Sequence, residues 1–278
     1  MPPPPTPLTS EMLDHLRAAA SWDVMHRPIG ASTFPTRVIT AQRALRQLES
    51  DLALLPQSPT QRTGNSAALL ELRGNIRLLR GAVNGLSKQH REISRLPRVV
   101  LPAQRDEPRI SAVSALYLRA SRGRFSASEF ATFLHAFQAN EPLGLHELWH
   151  ISSFLRFILA ESLLDEARVL LRSSDLVSVS PVSAAITSLR TISNTDWASI
   201  IEPLIHFDAK LRQDPSQTYC SMEFDSREIY RRRVALVAAH SDCSEVQVAQ
   251  IAVDLAREGS RRHADDPRMH QRYMHVGY

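Results

Sequence analysis

The chain is 278 residues long, with 43% hydrophobic and 22% charged residues, a balance that excludes a disordered protein and allows one elongated domain or two smaller ones. Only nine glycines occur, and the excess of Ala, Leu, Arg and Glu favours helix over strand. The formal charge is +4 and the isoelectric point about 9.4, yet acids and bases are interspersed without a long basic run, which speaks against a nucleic-acid partner.

Residues 1–8 are proline-rich and predict a disordered arm. A short helix follows, capped by Thr9 or Ser10, and fades before Pro28 and Gly30. In residues 36–55, Val38, Ala41, Leu45, Leu48, Leu52 and Leu55 recur at spacings of three and four. In residues 66–96, Leu69, Leu72, Ile76, Leu79, Val83, Leu86 and Ile93 do the same, with His90 the one polar member. Each set makes one apolar stripe, and Pro56, Pro59 and Gly64 punctuate the link between them, so an antiparallel helical hairpin is expected. Gly74, Gly81 and Gly85 share a side of the second helix and would permit a close neighbour there.

Pro97, Pro102 and Pro108 mark a boundary at residues 97–108. Beyond it helices are expected over about 109–121, from the capping box Ser126-x-x-Glu129, and over about 145–172. The second carries Phe130, Phe133, Leu134 and Phe137; the third is apolar around much of its circumference and belongs at the centre of a bundle. Pro181 opens a further helix to about Ile192, and another starts near Asp196 with a kink or break expected at Pro203. The last two run about 226–240 and 245–259, capped by Asp225 or Ser226 and by Ser244. No segment alternates with period two long enough for a convincing sheet. The expected fold is all-α, a multi-helix bundle with an N-terminal helical hairpin. Its parts are the arm 1–8, a helical lead-in 9–100, a bundle 108–260 and a polar, solvated tail 261–278.

His146-Glu147-Leu148-Trp149-His150 matches HExxH, the pattern of zinc hydrolases. On a helix the two histidines share a face, and the glutamate can serve as general base toward metal-bound water. A third ligand is not evident, however, and neither glycine nor histidine extends the motif after His150. Two partly exposed histidines on a packed helix is the simpler reading, so no catalytic, cofactor or metal residue is assigned. His263, His270 and His275 fit no standard metal spacing, and Cys220 and Cys243 form no CxxC pair. Met-Pro-Pro-Pro-Pro lacks the basic start and apolar core of a secretory leader, so a cytoplasmic protein is expected. Trp149, Trp197 and Tyr219 could stack on a sugar, but their aliphatic neighbours favour core packing.

Several ordered segments carry a resemblance. They are Pro108-Arg109-Ile110 with Tyr117-Leu118, Phe130 to Phe137-Gln138, Pro142-Leu143, Glu147-Leu148-Trp149 and Leu155-Arg156 leading to Glu161. Ser188-Leu189-Arg190, Asp196-Trp197, Leu211 to Pro215, Tyr219, Met222, Phe224-Asp225, Arg227, Tyr230-Arg231 and His275-Val276-Gly277-Tyr278 continue the order. From about Pro108 onward the chain thereby resembles the N-terminal cytoplasmic region of bacterial cyclic β-1,2-glucan synthases, membrane glycosyltransferases that use UDP-glucose. His146, His150 and Pro203 depart from that pattern, and residues 1–100 match it only loosely.

The resemblance implies a noncatalytic module with a scaffolding or regulatory role. The nucleotide-sugar site of such an enzyme would lie beyond Tyr278, after the first membrane helices. The implied partners are the membrane and catalytic domains of the parent synthase, at the cytoplasmic face of the inner membrane. No nucleic acid, cofactor or small-molecule substrate is implied for this chain. The competing readings are the HExxH zinc hydrolase and a free-standing helical interaction or nucleic-acid-binding protein.

Overall fold

The computed structural model describes residues 7–26, 32–54, 64–101, 105–172 and 181–277. Residues 1–6 of the expected arm, the stretch around Pro28 and Gly30, and the link containing Pro56 and Pro59 lie outside them. The described chain is mainly helical, and all-α is its class. It divides into two compact units: Met1–Glu141 with Trp149–Trp197, and Pro142–Leu148 with Ala198–Tyr278.

In the first unit Thr9 caps the helix Ser10–Ala19, its hydroxyl accepting from the Met12 N–H at 3.2 Å. The helix Phe34–Ala53 buries Val38, Ala41, Leu45, Leu48 and Leu52, the stripe expected from spacing. Its partner is not one helix but three segments, Gly64–Gly74, Ile76–Lys88 and His90–Ile93. The first break falls at Gly74-Asn75, where the Asn75 amide donates to the Glu71 carbonyl at 2.8 Å and competes with helix continuation. Gln42 bonds Asn84 and Glu49 bonds Arg80, so the pairing runs antiparallel and the hairpin stands. The close approach expected at the glycines is not made: nothing comes within 4 Å of a Cβ placed at Gly74 or Gly85, and only the tip of Arg156 does at Gly81.

The proline-marked boundary contains structure that periodicity did not predict. Strands β1 (Val24–Met25), β2 (Arg98–Leu101) and β3 (Arg105–Pro108) form an antiparallel sheet in the order β1-β2-β3. Val99 pairs with Val24 on one side and Glu107 on the other. Val99 is buried while Val100 is exposed, the alternation of a strand with one covered face. Four residues are too few for that alternation to be distinctive in a sequence.

The helix Arg109–Ala120 follows β3 directly, and then Ala127–Gln138 buries Phe130, Phe133, Leu134 and Phe137. The expected capping box is absent: the Ser126 side chain makes no cap bond. The Tyr117 hydroxyl occupies that corner instead, accepting from the Ser126 N–H at 3.1 Å. The helix Leu145–Arg172 is the spine of this unit from Trp149 onward, with Ile151, Phe154, Leu155, Phe157 and Ala160 fully buried. Phe34 packs on Phe154 and Phe157 at centroid distances of 5.4 and 5.8 Å. The helix Val182–Asn194 completes the unit, with Pro181 at its N-cap.

In the second unit the helix begun at Trp197 ends at Ile201 and passes into a 3-10 turn, Glu202–Leu204, so the break falls at Pro203 as its missing N–H predicts. Short helices Asp208–Leu211 and Thr218–Ser221 precede the long ones, Phe224–Ala239 and Glu245–Arg262. Ser244 and Gln247 make a complete capping box on the last of these. Phe224–Ala239 starts two residues earlier than expected, behind Glu223, without a side-chain cap. The expected solvated tail contains the helix Pro267–Tyr273, capped by Asp266, and it lies against Glu245–Arg262. No helix among the described residues is long and apolar enough to cross a membrane.

Candidate functional site

The HExxH residues begin the long helix. Gly144 is the N-cap, since its carbonyl accepts from the Leu148 N–H at 3.1 Å. Glu147 therefore occupies the third helical position, and its carboxylate turns back to accept the Gly144 N–H at 2.9 Å. That is the glutamate half of a capping box. Gly144 has no side chain to supply the other half; Glu245, from another helix, caps a different free donor, the first-position N–H of Leu145, at 3.1 Å. Glu147 is 1% exposed, and His146 is exposed. His150 is buried, with Nε2 3.5 Å from Glu92. The motif's glutamate thus caps its own helix, and its second histidine faces a carboxylate. Among the described residues no three His, Cys, Asp or Glu gather as a metal-holding group.

The two carboxylates at this helix start also face each other. Both come within 4 Å of a Cβ position at Gly144. Burial, helped by the charge of Glu147, raises the Glu245 carboxyl to about 7, although the Leu145 N–H opposes the rise.

The densest polar assembly lies in the second unit and has no sequence motif. Arg231 is fully buried; its Nε donates to Asp208 at 2.8 Å and its Nη2 to Glu202 at 2.6 Å. The Tyr219 hydroxyl donates to Asp208 at 2.5 Å, Arg212 to the other oxygen of Asp208 at 2.6 Å, and Arg227 to Glu202 at 2.7 Å. Burial alone would raise both acids, but the donated hydrogen bonds, Arg231 first, hold Asp208 and Glu202 below their ordinary values. Burial and the Asp208 carboxylate push the Tyr219 hydroxyl upward, so it stays protonated and donates.

Beside it, Asp214, Ser216 and His275 come together although 59 residues separate Ser216 from His275. The order is wrong for a hydrolytic triad. Asp214 Oδ2 bonds both the Ser216 hydroxyl, at 2.6 Å, and His275 Nδ1, at 2.8 Å. Nε2, which would have to take the serine proton, is occupied by the Tyr230 hydroxyl at 2.8 Å. Asp214 also accepts the N–H groups of Tyr219 and Val276. Burial would raise this carboxyl, but these bonds, the Ser216 hydroxyl first, keep it low. Its product is a docked segment, 275–277: Gly277 lies where a Cβ would stand 2.8 Å from the Tyr230 hydroxyl.

Of the aromatic residues considered for sugar stacking, Tyr219 is fully buried. Trp197 is half-buried against Phe125 and Phe130, its ring N–H donating to the Ile192 carbonyl at 2.9 Å. Trp149 is half-buried rather than in the core. Sequence reading did not find the Arg37 bridge, which joins Glu107 and Glu161 at 2.6 Å each, or the Glu245 cap. Both join residues far apart in the chain, with no local signal.

Comparison with known proteins finds similarity to the cyclic β-(1,2)-glucan synthase NdvB of Rhizobium meliloti (strain 1021), 38% identical over 77 residues. That stretch is 28% of this chain and 3% of the synthase, so the chain spans a very small part of that relative. No family profile matches the chain.

Proposed function

We propose that the chain is a noncatalytic helical module of the cyclic β-1,2-glucan synthase type, scaffolding or regulating a transferase. The partial identity to the Rhizobium meliloti synthase carries this reading. The use of the polar residues in the family-like segments supports it. Glu147 caps a helix, Tyr117 braces a helix start, Asp208 and Glu202 neutralise Arg231, and Asp214 holds His275 and Val276. A glycosyl transferase needs acids holding a metal on the diphosphate and a base for the acceptor hydroxyl. The acids Glu147, Asp208, Glu202 and Asp214 are engaged in folding contacts. The natural partners on this reading are the catalytic and membrane domains of a synthase, at the cytoplasmic face of the inner membrane.

Two measurements test it. Purified residues 1–278 should release no UDP from UDP-glucose above a protein-free control; sustained turnover would refute the noncatalytic reading. In a synthase carrying this module, Arg231→Met should take the buried cation from Asp208 and Glu202, leaving them only Tyr219, Arg212 and Arg227, and cost roughly 2–4 kcal/mol. Enzyme amount should then fall more than activity per molecule. Normal abundance with lost activity would instead assign the network a direct part in the reaction.

A further inference from the structure

The first unit contains an arginine whose surroundings do not account for it. Arg98 and Arg109 are buried and Arg37 is half-buried, and all three hold carboxylates, at 3.1, 2.8 and 2.6 Å. Arg156 is half-buried, its Nε is closed off from water, and it makes no hydrogen bond or ion pair among the described residues. Burial accordingly lowers its pKa. With Nε closed off and no acceptor supplied among the described residues, the guanidinium is only partly removed from water, and its fixed fork of donors matches an oxyanion.

The surface it lies on is shaped for such a group. One Nη of Arg156 sits 3.6 Å from a Cβ position at Gly81, and one turn later Gly85 has nothing within 4 Å. Helical spacing puts Arg77, Gly81, Gly85 and Lys88 of Ile76–Lys88 on one face. Arg77 and Lys88 are exposed and likewise hold no carboxylate among the described residues. Glu92, the acid at the far end of this face, stands opposite His150. Three cations therefore border a floor with no side chains, and the helix backbone there is open to a ligand.

We propose that this face, with Arg156 as its fork and Arg77 and Lys88 as flanking charges, binds a phosphate group. Arg–phosphate pairs are bidentate and charge-assisted, which supplies an acceptor that the protein itself does not. The inference goes beyond the scaffolding role and does not rest on it. Glycine at 81 and 85 lets the phosphate oxygens approach the helix, and a side chain at 85 would stand in their place.

The test uses the full chain, inorganic pyrophosphate, and vesicles of phosphatidylglycerol in phosphatidylcholine, with sodium chloride at matched ionic strength as control. Pyrophosphate should raise the melting temperature beyond the chloride control, or the vesicles should retain the protein in flotation. The first result identifies a soluble phosphate ester as the source, the second a lipid headgroup. Arg156→Met should weaken the observed binding by about tenfold or more, equivalent to ~1.4 kcal/mol for one charge-assisted contact. Without phosphate the same variant should melt no lower than the wild type, because it removes a half-buried charge that has no acceptor among the described residues. Gly85→Leu should also weaken binding. Absence of both responses, or full binding by Arg156→Met, overturns the proposal. A variant that melts well below the wild type in phosphate-free buffer also overturns it, since Arg156 would then be serving the fold.

Discussion

Burial and the neighbouring Glu147 raise the Glu245 carboxyl to about 7, from an ordinary value of 4.5. Folding therefore favours its protonated form. The associated stability is fully present below the unfolded value and is lost as pH rises through about 7. Between pH 5 and 8 the melting temperature of the second unit should fall, and Glu245→Gln, which cannot ionise, should flatten the fall. The difference at pH 8 should be roughly 1–3 kcal/mol in favour of the variant. A wild-type melt that is level over this range, or one that rises, would remove the argument. Asp208, Glu202 and Asp214 act in the opposite sense. Their depressed values contribute stability that is present above their ordinary range and lost in acid. HExxH shows the limit of reading at this scale: three residue types at the right spacing were legible, but the direction of Glu147 was not. Its direction follows from Gly144 at the N-cap, which leaves the Gly144 N–H for the glutamate to satisfy.

At the scale of elements, the docked final helix rests on Gly259. A Cβ at that position would stand 2.8 Å from the Tyr273 carbonyl oxygen and 2.9 Å from its Cβ, backbone and near-backbone atoms that no rotamer change can move. Gly259→Ala should push Pro267–Tyr273 away from Glu245–Arg262, breaking the His263–Tyr273 stack and the His270 bond to the Ser260 carbonyl. The expected cost is about 1–3 kcal/mol, local to this helix. Hydrogen exchange should accelerate at 267–273 while the amides of Leu145–Arg172 keep their protection; unchanged exchange at 267–273 would contradict the packing. The polar composition of residues 261–278 gave no hint of this docking, because the helix is held by carbonyls and stacked rings rather than by an apolar stripe. Apolar periodicity did locate Phe34–Ala53, Ala127–Gln138 and Leu145–Arg172, while the cap at Ser244 located the start of Glu245–Arg262. It failed for Ile76–Lys88 and its neighbours, where the stripe continues through two breaks set by Gly74-Asn75 and Gln89.

For the whole molecule, the division into units is discontinuous in sequence. Pro142–Leu148 belongs with Ala198–Tyr278, because Leu145 and Gly144 meet Glu245 there. A fragment of residues 198–278 lacks that contact. It should melt less cooperatively than the same fragment joined to residues 142–148 through a flexible linker, by circular dichroism at pH 5. Equal melts would show the segment to be dispensable.

The all-α class, the hairpin of the lead-in, the break at Pro203 and the cap at Ser244 follow from the sequence alone, since propensity, apolar period and caps act within a few residues. Tertiary structure decided the rest. The three-stranded sheet joins residues 24–25 to 98–108, the Arg231 network gathers residues from 202 to 231, and Asp214 meets His275 and Val276 across 61 and 62 residues. Such contacts form because buried backbone and charged groups need partners wherever the fold brings them within reach. Neither a spacing nor a composition records which distant partner that will be.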